Sequence, residues 1–134
     1  MIEFHVHGQP IPQGSKKAFV RGGRIALVEA NPRLRSWRAA ITASARAAWN
    51  GVPVAGPILI VLDFRMERPK SSRREFPTVK PDLDKLTRAV LDGITDAGIW
   101  KDDSEVCEIA AAKKYGLPGV RVVVSRLDVL PDMT

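Results

Sequence analysis

The chain has 134 residues, 45% of them apolar and 27% charged, which suits one domain with a single core and is too short for two independent catalytic centres. A net charge of +6 draws polyanions, a trait of nucleic-acid binders that ribosomal, membrane-surface and simply soluble proteins share. The single cysteine, Cys107, excludes an internal disulfide, Met1 to His7 is no secretory signal, and the short Ile58 to Leu62 run is the longest apolar stretch, so a cytoplasmic protein without a membrane span is expected.

Ile2, Phe4 and Val6 alternate with Glu3, His5 and His7, the period of a half-buried strand. His5 and His7 share its polar face, as solvated side chains or as metal ligands without an acidic or cysteine partner nearby. Gly8-Gln9-Pro10-Ile11-Pro12-Gln13-Gly14-Ser15 is a turn-rich connector. Lys16, Lys17, Arg21 and Arg24 then surround Gly22-Gly23, the two-residue turn of a small hairpin, where they fit phosphate contacts and a charge-protected edge equally well.

Asn31-Pro32 opens a helix and Asn50-Gly51 closes it. Leu34, Trp37, Ile41, Ala45 and Ala48 form its core stripe, and Arg35, Arg38, Thr42 and Arg46 a basic flank that is either solvated or laid on phosphates. Trp49 falls off the stripe, at an edge or a subunit contact. From Pro57 to Met66, Ile58, Ile60, Leu62 and Phe64 interleave with Leu59 and Val61, which predicts a central strand covered on both faces.

The composition changes at residues 65–80. Arg65, Arg68, Lys70, Arg73, Arg74 and Lys80 outnumber Glu67 and Glu75, and with Pro69, Ser71, Ser72 and Pro77 they form a mobile basic loop. Because this loop runs straight into a cluster of acids, contact with DNA is favoured over passive solvation, with Arg68, Lys70, Arg73, Arg74 and Lys80 as candidates.

The acids are Asp82, Asp84, Asp92, Asp96, Asp102 and Asp103, and carboxylates so crowded repel one another unless a cation sits between them. Leu83, Leu86, Val90, Ile94 and Ala97 mark the apolar stripe of a helix from Leu83 to Ala97 that Gly98 ends. Asp84, Arg88 and Asp92 follow one another on a separate flank. Pro81 biases Lys80 toward an extended conformation, in which Asp82 and Asp84 point to one side where the helix begins. The turn Ile99 to Lys101 would bring Asp102 and Asp103 back beside them. Hard oxygen donors of this kind suit Mg²⁺, with Mn²⁺ as a substitute, rather than zinc.

Ser104 to Lys113 and Gly119 to Leu127 read as a closing pair of strands joined by Tyr115-Gly116-Leu117-Pro118, with a bulge near Cys107 or Glu108 and Cys107 as a buried structural thiol. Lys113 and Lys114 suit either phosphate contact or an exposed strand end. Residues 128–134 form a loose tail. The elements sum to an α/β (α+β) fold, one domain over residues 1–134 with a mixed sheet of about five to six strands and two main helices.

The run Pro81-Asp82-Leu83-Asp84-Lys85-Leu86 with Arg88, Asp92, Gly93 and Ile94, followed by Lys101-Asp102-Asp103, resembles the RusA-type Holliday junction resolvases, small endonucleases of bacteria and their phages. The Gly8 to Lys17 opening is similar to phage members of that family. The resemblance implies a RusA-like fold and a Mg²⁺-dependent endodeoxyribonuclease that resolves four-way DNA junctions by paired nicks. It also implies a homodimer that matches the near two-fold symmetry of the junction, with no small-molecule cofactor. It places the metal on Asp82, Asp84 and Asp103 and a catalytic cation at Arg88; the adjacent Asp102 could replace or assist Asp103.

Arginine there departs from the family's usual lysine. A guanidinium stays protonated at any usable pH, so Arg88 can neutralise or orient a phosphate but cannot be a general base. Lys85, where many relatives carry asparagine, is a second candidate cation, and Lys16, Lys17 and Lys113 complete the expected DNA-binding set. Two other readings fit the same residues: a nuclease for other branched or duplex DNA, and a junction-binding module without catalysis. A restriction-type Pro-Asp…(Asp/Glu)-x-Lys site is excluded, because Ala110 stands two positions after Glu108.

Overall fold

The computed structural model describes residues 1–14, 16–29 and 32–129. Strand β1 (Ile2–His7) buries Ile2, Phe4 and Val6 and exposes Glu3, His5 and His7, as its alternation requires. Strands β2 (Lys16–Arg21) and β3 (Arg24–Glu29) pair around Gly22 and Gly23, whose φ values of 59° and 77° supply the left-handed turn that joins tight hairpins. Helix α1 (Leu34–Ala48) is followed by β4 (Ile58–Met66), α2 (Leu83–Ala97), β5 (Val106–Tyr115) and β6 (Gly119–Arg126). Asn31, expected to cap α1, lies outside the described residues; Arg33 is the residue before its first turn.

The main sheet is mixed and runs β1-β6-β4-β5, with β4 and β5 parallel and the other pairs antiparallel. Four strands rather than five or six build it, because β2 and β3 pair as a separate two-stranded sheet. β5 and β6 do not form the expected closing pair: β4 lies between them, and the turn after β5 is tied to its end by Gly116 N–H donating to Met66 O at 3.0 Å. Helix α2 supplies the crossover that the parallel return from β4 to β5 needs, and β6 adds antiparallel on the other side of β4. The register shifts where Ile58 meets Val106 and Leu59 meets Glu108, so Cys107 is the bulged residue. Its thiol is consequently exposed on an edge strand, not buried.

One face of the sheet carries the core. Ile58, Ile60, Leu62, Phe64 and Met66 of β4 join Val120, Val122 and Val124 of β6 and the β1 apolar residues against Leu34, Trp37, Ile41 and Ala45 of α1 and Leu86, Ala89, Val90 and Ile94 of α2. Ala48, placed on the α1 stripe by period, is exposed in the helix's final turn. The opposite face of β4, with Leu59, Val61, Asp63 and Arg65, is half-buried rather than covered. Central position in a mixed sheet demands apolar residues on one face only.

The helices meet where α2 has no side chain: a Cβ on Gly93 would stand 2.8 Å from Ile41 Cγ2. Around this contact Thr42 Oγ1 donates to Gly93 O at 2.8 Å, Arg38 bridges to Asp96 at 2.8 Å and Arg46 reaches Asp96 O at 3.1 Å. Arg38, Thr42 and Arg46 of the expected basic flank are thus bonded to α2. The tail begins in order, with Leu127–Val129 in a 3₁₀ turn and Asp128 bonded to Arg126, while residues 130–134 lie outside the described residues. No described helix is long and apolar enough to cross a membrane.

Candidate metal and nucleic-acid site

The site is organised by the way the chain enters α2. Asp82 is extended, at φ −70° and ψ 139°, and its backbone carbonyl accepts the first helical bond from Leu86 N–H at 3.1 Å. Its side chain makes no capping bond. Asp84 lies in the first turn, where the partial positive charge of the helix N-terminus favours a carboxylate. Both are exposed, as is Arg88 one turn on, while Leu86, Ala89 and Val90 anchor the opposite side in the core. Thr87 tightens the same turn through its hydroxyl, which donates to Leu83 O at 2.9 Å.

Two neighbouring segments fix this approach. Lys113 of β5 donates from Nζ to Val79 O at 2.8 Å and to Pro81 O at 2.7 Å, clamping the peptides that flank the Lys80–Pro81 pair. Gln13 N–H donates to Lys85 O at 3.0 Å, laying the connector after β1 along the first turn of α2. Lys113, expected to touch phosphate, therefore commits its ammonium group to two carbonyls that present Asp82. Sequence offers no sign of that role, because both acceptors are backbone atoms far away in the chain.

A cleft of about 370 Å³ opens between connector and helix, lined by Gln9, Pro10, Ile11, Pro12, Gly14, Arg33, Lys80, Pro81, Asp82 and Lys85. Pro10 and Ile11 are buried beneath it. The carboxamide oxygens of Gln9 and Gln13 are buried with no hydrogen-bond partner among the described residues.

The third acid stands elsewhere. Asp102 accepts from Ser104 N–H at 3.1 Å, and the Ser104 hydroxyl and backbone hold its carboxyl below the usual value. Asp103 starts the following 3₁₀ turn (Asp103–Glu105), which packs against α2. Burial pushes the Asp92 carboxyl up from the usual 3.8, the Arg38 and Arg88 guanidinium groups pull it down, and Asp103 and Asp96 add to the rise. Asp103 is thus felt at Asp92, further along the helix than Asp82 and Asp84. Among the described residues no group of three or more His, Cys, Asp or Glu side chains is gathered to hold a metal, so the convergence expected of Asp82, Asp84 and Asp103 is not seen. The turn Ile99–Trp100 explains the placement. Both side chains are buried, and Trp100 Nε1 donates to Thr95 Oγ1 at 2.8 Å, which docks the returning chain at the C-terminal end of α2.

The basic stretch begins at Glu67, since β4 runs to Met66, and it is tethered. Arg68 lies 4.4 Å from the centre of the Tyr115 ring and donates to Arg74 O, Ser72 Oγ stands 3.5 Å from Tyr115 OH, and Pro77 is buried. Lys70, Arg73, Arg74, Lys80 and Lys85 are exposed. Lys16 and Lys17 belong to β2 by their backbone, and their side chains lie outside the described residues.

The chain matches the RusA endodeoxyribonuclease family over residues 7–125, which takes in the connector, both helices and the acids. It belongs to that family. It is also similar to a Bacillus subtilis (strain 168) protein described as the uncharacterized protein YqaN, with 28% identity over 137 residues that cover 92% of this chain and 94% of that one.

Proposed function

We propose that the protein is a divalent-metal-dependent endodeoxyribonuclease that resolves four-way DNA junctions, acting as a homodimer in the cytoplasm. Membership of the RusA endodeoxyribonuclease family supports the class of reaction. The observation that carries the assignment to this site is the state of Asp82 and Asp84: exposed carboxylates at a helix start, neither capping it nor ion-paired with a described residue.

The donor set fits Mg²⁺ or Mn²⁺, which take oxygen ligands and need only one or two carboxylates per ion, with water completing the shell. Asp82 and Asp84 would hold the ion, and Asp103, with Asp102 beside it, is the acid that a loop adjustment would add. When bound, such an ion polarises a phosphodiester and lowers the pKa of a water ligand. Arg88, fixed in charge, orients the phosphate and offsets its developing negative charge. Lys85 supplies a further cation at the first turn, and Lys70, Arg73, Arg74 and Lys80 grip the backbone on either side. Arg68 contributes through the same loop, from its seat on Tyr115.

Cleavage of a synthetic four-way junction compared with a linear duplex of the same sequence, in Mg²⁺ and in EDTA, tests the reading. Paired nicks in the junction alone, abolished by EDTA, are expected. Equal cutting of duplex would make this a nuclease of broader substrate range, and tight junction binding without cutting would make it a binding module.

A further inference from the structure

We propose that the cleft between the Gln9–Gly14 connector and the start of α2 receives one unstacked nucleotide next to the scissile phosphate, and that Gln9 reads the edge of its base. This rests on the nuclease reading above and adds a base-recognition subsite to it. The cleft shares Asp82 with the candidate metal site, so whatever occupies it lies beside the bond to be cut. Its volume of about 370 Å³ falls within the range of pockets that bury small ligands.

The lining is divided in a way that matches a nucleotide. Pro10, Ile11, Pro12 and Pro81 give flat apolar surface for a base face. Arg33, Lys80 and Lys85 bring positive charge for the flanking phosphates. Gln9 lines the same cleft, and its carboxamide combines an acceptor and two donors, the pattern that pairs with base edges. Its oxygen is buried with no partner among the described residues, an unmet acceptor that turning the amide toward a base would satisfy. Extruding a base costs least where stacking is already interrupted, and where the arms of an opened junction meet, each terminal pair lacks a stacking neighbour on one side.

The segment is also held in place. Gln13 N–H bonds to Lys85 O, and Ile11 is 4% exposed, so the cleft walls are fixed before DNA arrives. An apolar patch would not discriminate between bases, whereas an amide anchored on such a wall does.

Four-way junctions carrying 2-aminopurine at each position within two nucleotides of the cut, bound at saturating protein in metal-free buffer, provide the test. One position should brighten as its base leaves the stack, and the cavity-filling Gln9→Trp should remove that brightening at saturation. An abasic residue at the same position should slow cutting in Mg²⁺ by about tenfold, and Gln9→Ala should reduce the preference among the four bases there to about twofold or less. If no position brightens, or the brightening and the base preference survive in both variants, the subsite is wrong. Because fluorescence needs no cleavage, that outcome is separate from a failure of the nuclease reading, which would show as bound junctions that Mg²⁺ leaves intact.

Discussion

At the C-terminal end of α2 the polar groups are matched. Gly98 takes the left-handed conformation at φ 76° and its N–H reaches Ile94 O and Thr95 O, Thr95 receives the Trp100 indole, and Val54 N–H closes on Ile99 O at 2.7 Å. At the N-terminal end Asp82 and Asp84 stand exposed beside Arg88, with no capping bond from Asp82. The same helix thus finishes as a packing element and starts as a cluster of unmatched charge. Natural sequences are locally consistent except where function asks otherwise, and the asymmetry locates that exception in the first two turns.

The strongest way to break this contrast is to remove the charge at the open end. Asp84→Asn should lower junction cleavage by about 10²–10³-fold or more while changing stability by no more than about 0.5 kcal/mol, since the side chain is exposed. Junction affinity should persist in a filter-binding or anisotropy assay. A variant that cuts at the wild-type rate would show that the open end is only a solvated helix start.

Lys113→Met comes next, and it separates two roles for that lysine. Releasing Val79 O and Pro81 O loosens the segment that presents Asp82, and a shift of about 1 Å can cost about 10²-fold in rate. The loss should fall on kcat, with KM for the junction and the salt dependence of binding little changed. A phosphate contact, the role that sequence suggested, would instead weaken binding and reduce the salt slope by about one.

At the packed end, Gly93→Ala forces a Cβ to within 2.8 Å of Ile41 Cγ2, with Arg38 O at 3.4 Å behind it. Overpacking of this kind costs typically about 1–3 kcal/mol, readable as a drop in thermal midpoint. Cutting measured well below that midpoint should stay near the wild-type rate, because the strain lies on the face of α2 that meets α1. An equal loss of activity would mean that the two ends are mechanically coupled.

How far the sequence spoke follows the same division. Helix α2 could be bounded residue for residue, since Leu83, Leu86, Val90 and Ile94 keep the helical period and Gly98 stops it. An extended entry to the helix, now seen at Asp82, and the bulge near Cys107 were expected as well. What failed was long-range pairing. Nothing in the alternation of β6 reveals that β4 rather than β5 is its neighbour, and the Tyr115–Pro118 turn looks like a hairpin until the parallel β4–α2–β5 unit is seen. The place of Lys113 was hidden for the same reason, since its partners are backbone carbonyls far away in the chain, and so was the place of Gln9 in a cleft assembled from distant segments. Composition identified the acids, but their grouping depends on where Ile99 and Trp100 dock, and burial of two large side chains decided that.

The smallest effect is expected midway between the two ends, at Asp92. Burial holds its folded-state carboxyl above the usual 3.8, outweighing the attraction of Arg38 and Arg88. Between that value and the raised one the folded protein binds more protons than the unfolded chain, so this group's contribution to stability falls as pH rises through the window and stays lowered above it. An asparagine side chain cannot ionise, so the thermal midpoint of Asp92→Asn relative to wild type should climb as pH rises from about 4 through that window and level off once the Asp92 carboxyl has ionised. If the difference shrinks over that range instead, the pull of Arg38 and Arg88 exceeds the cost of burial. The polar cluster at mid-helix would then belong with the matched C-terminal end rather than with the open start.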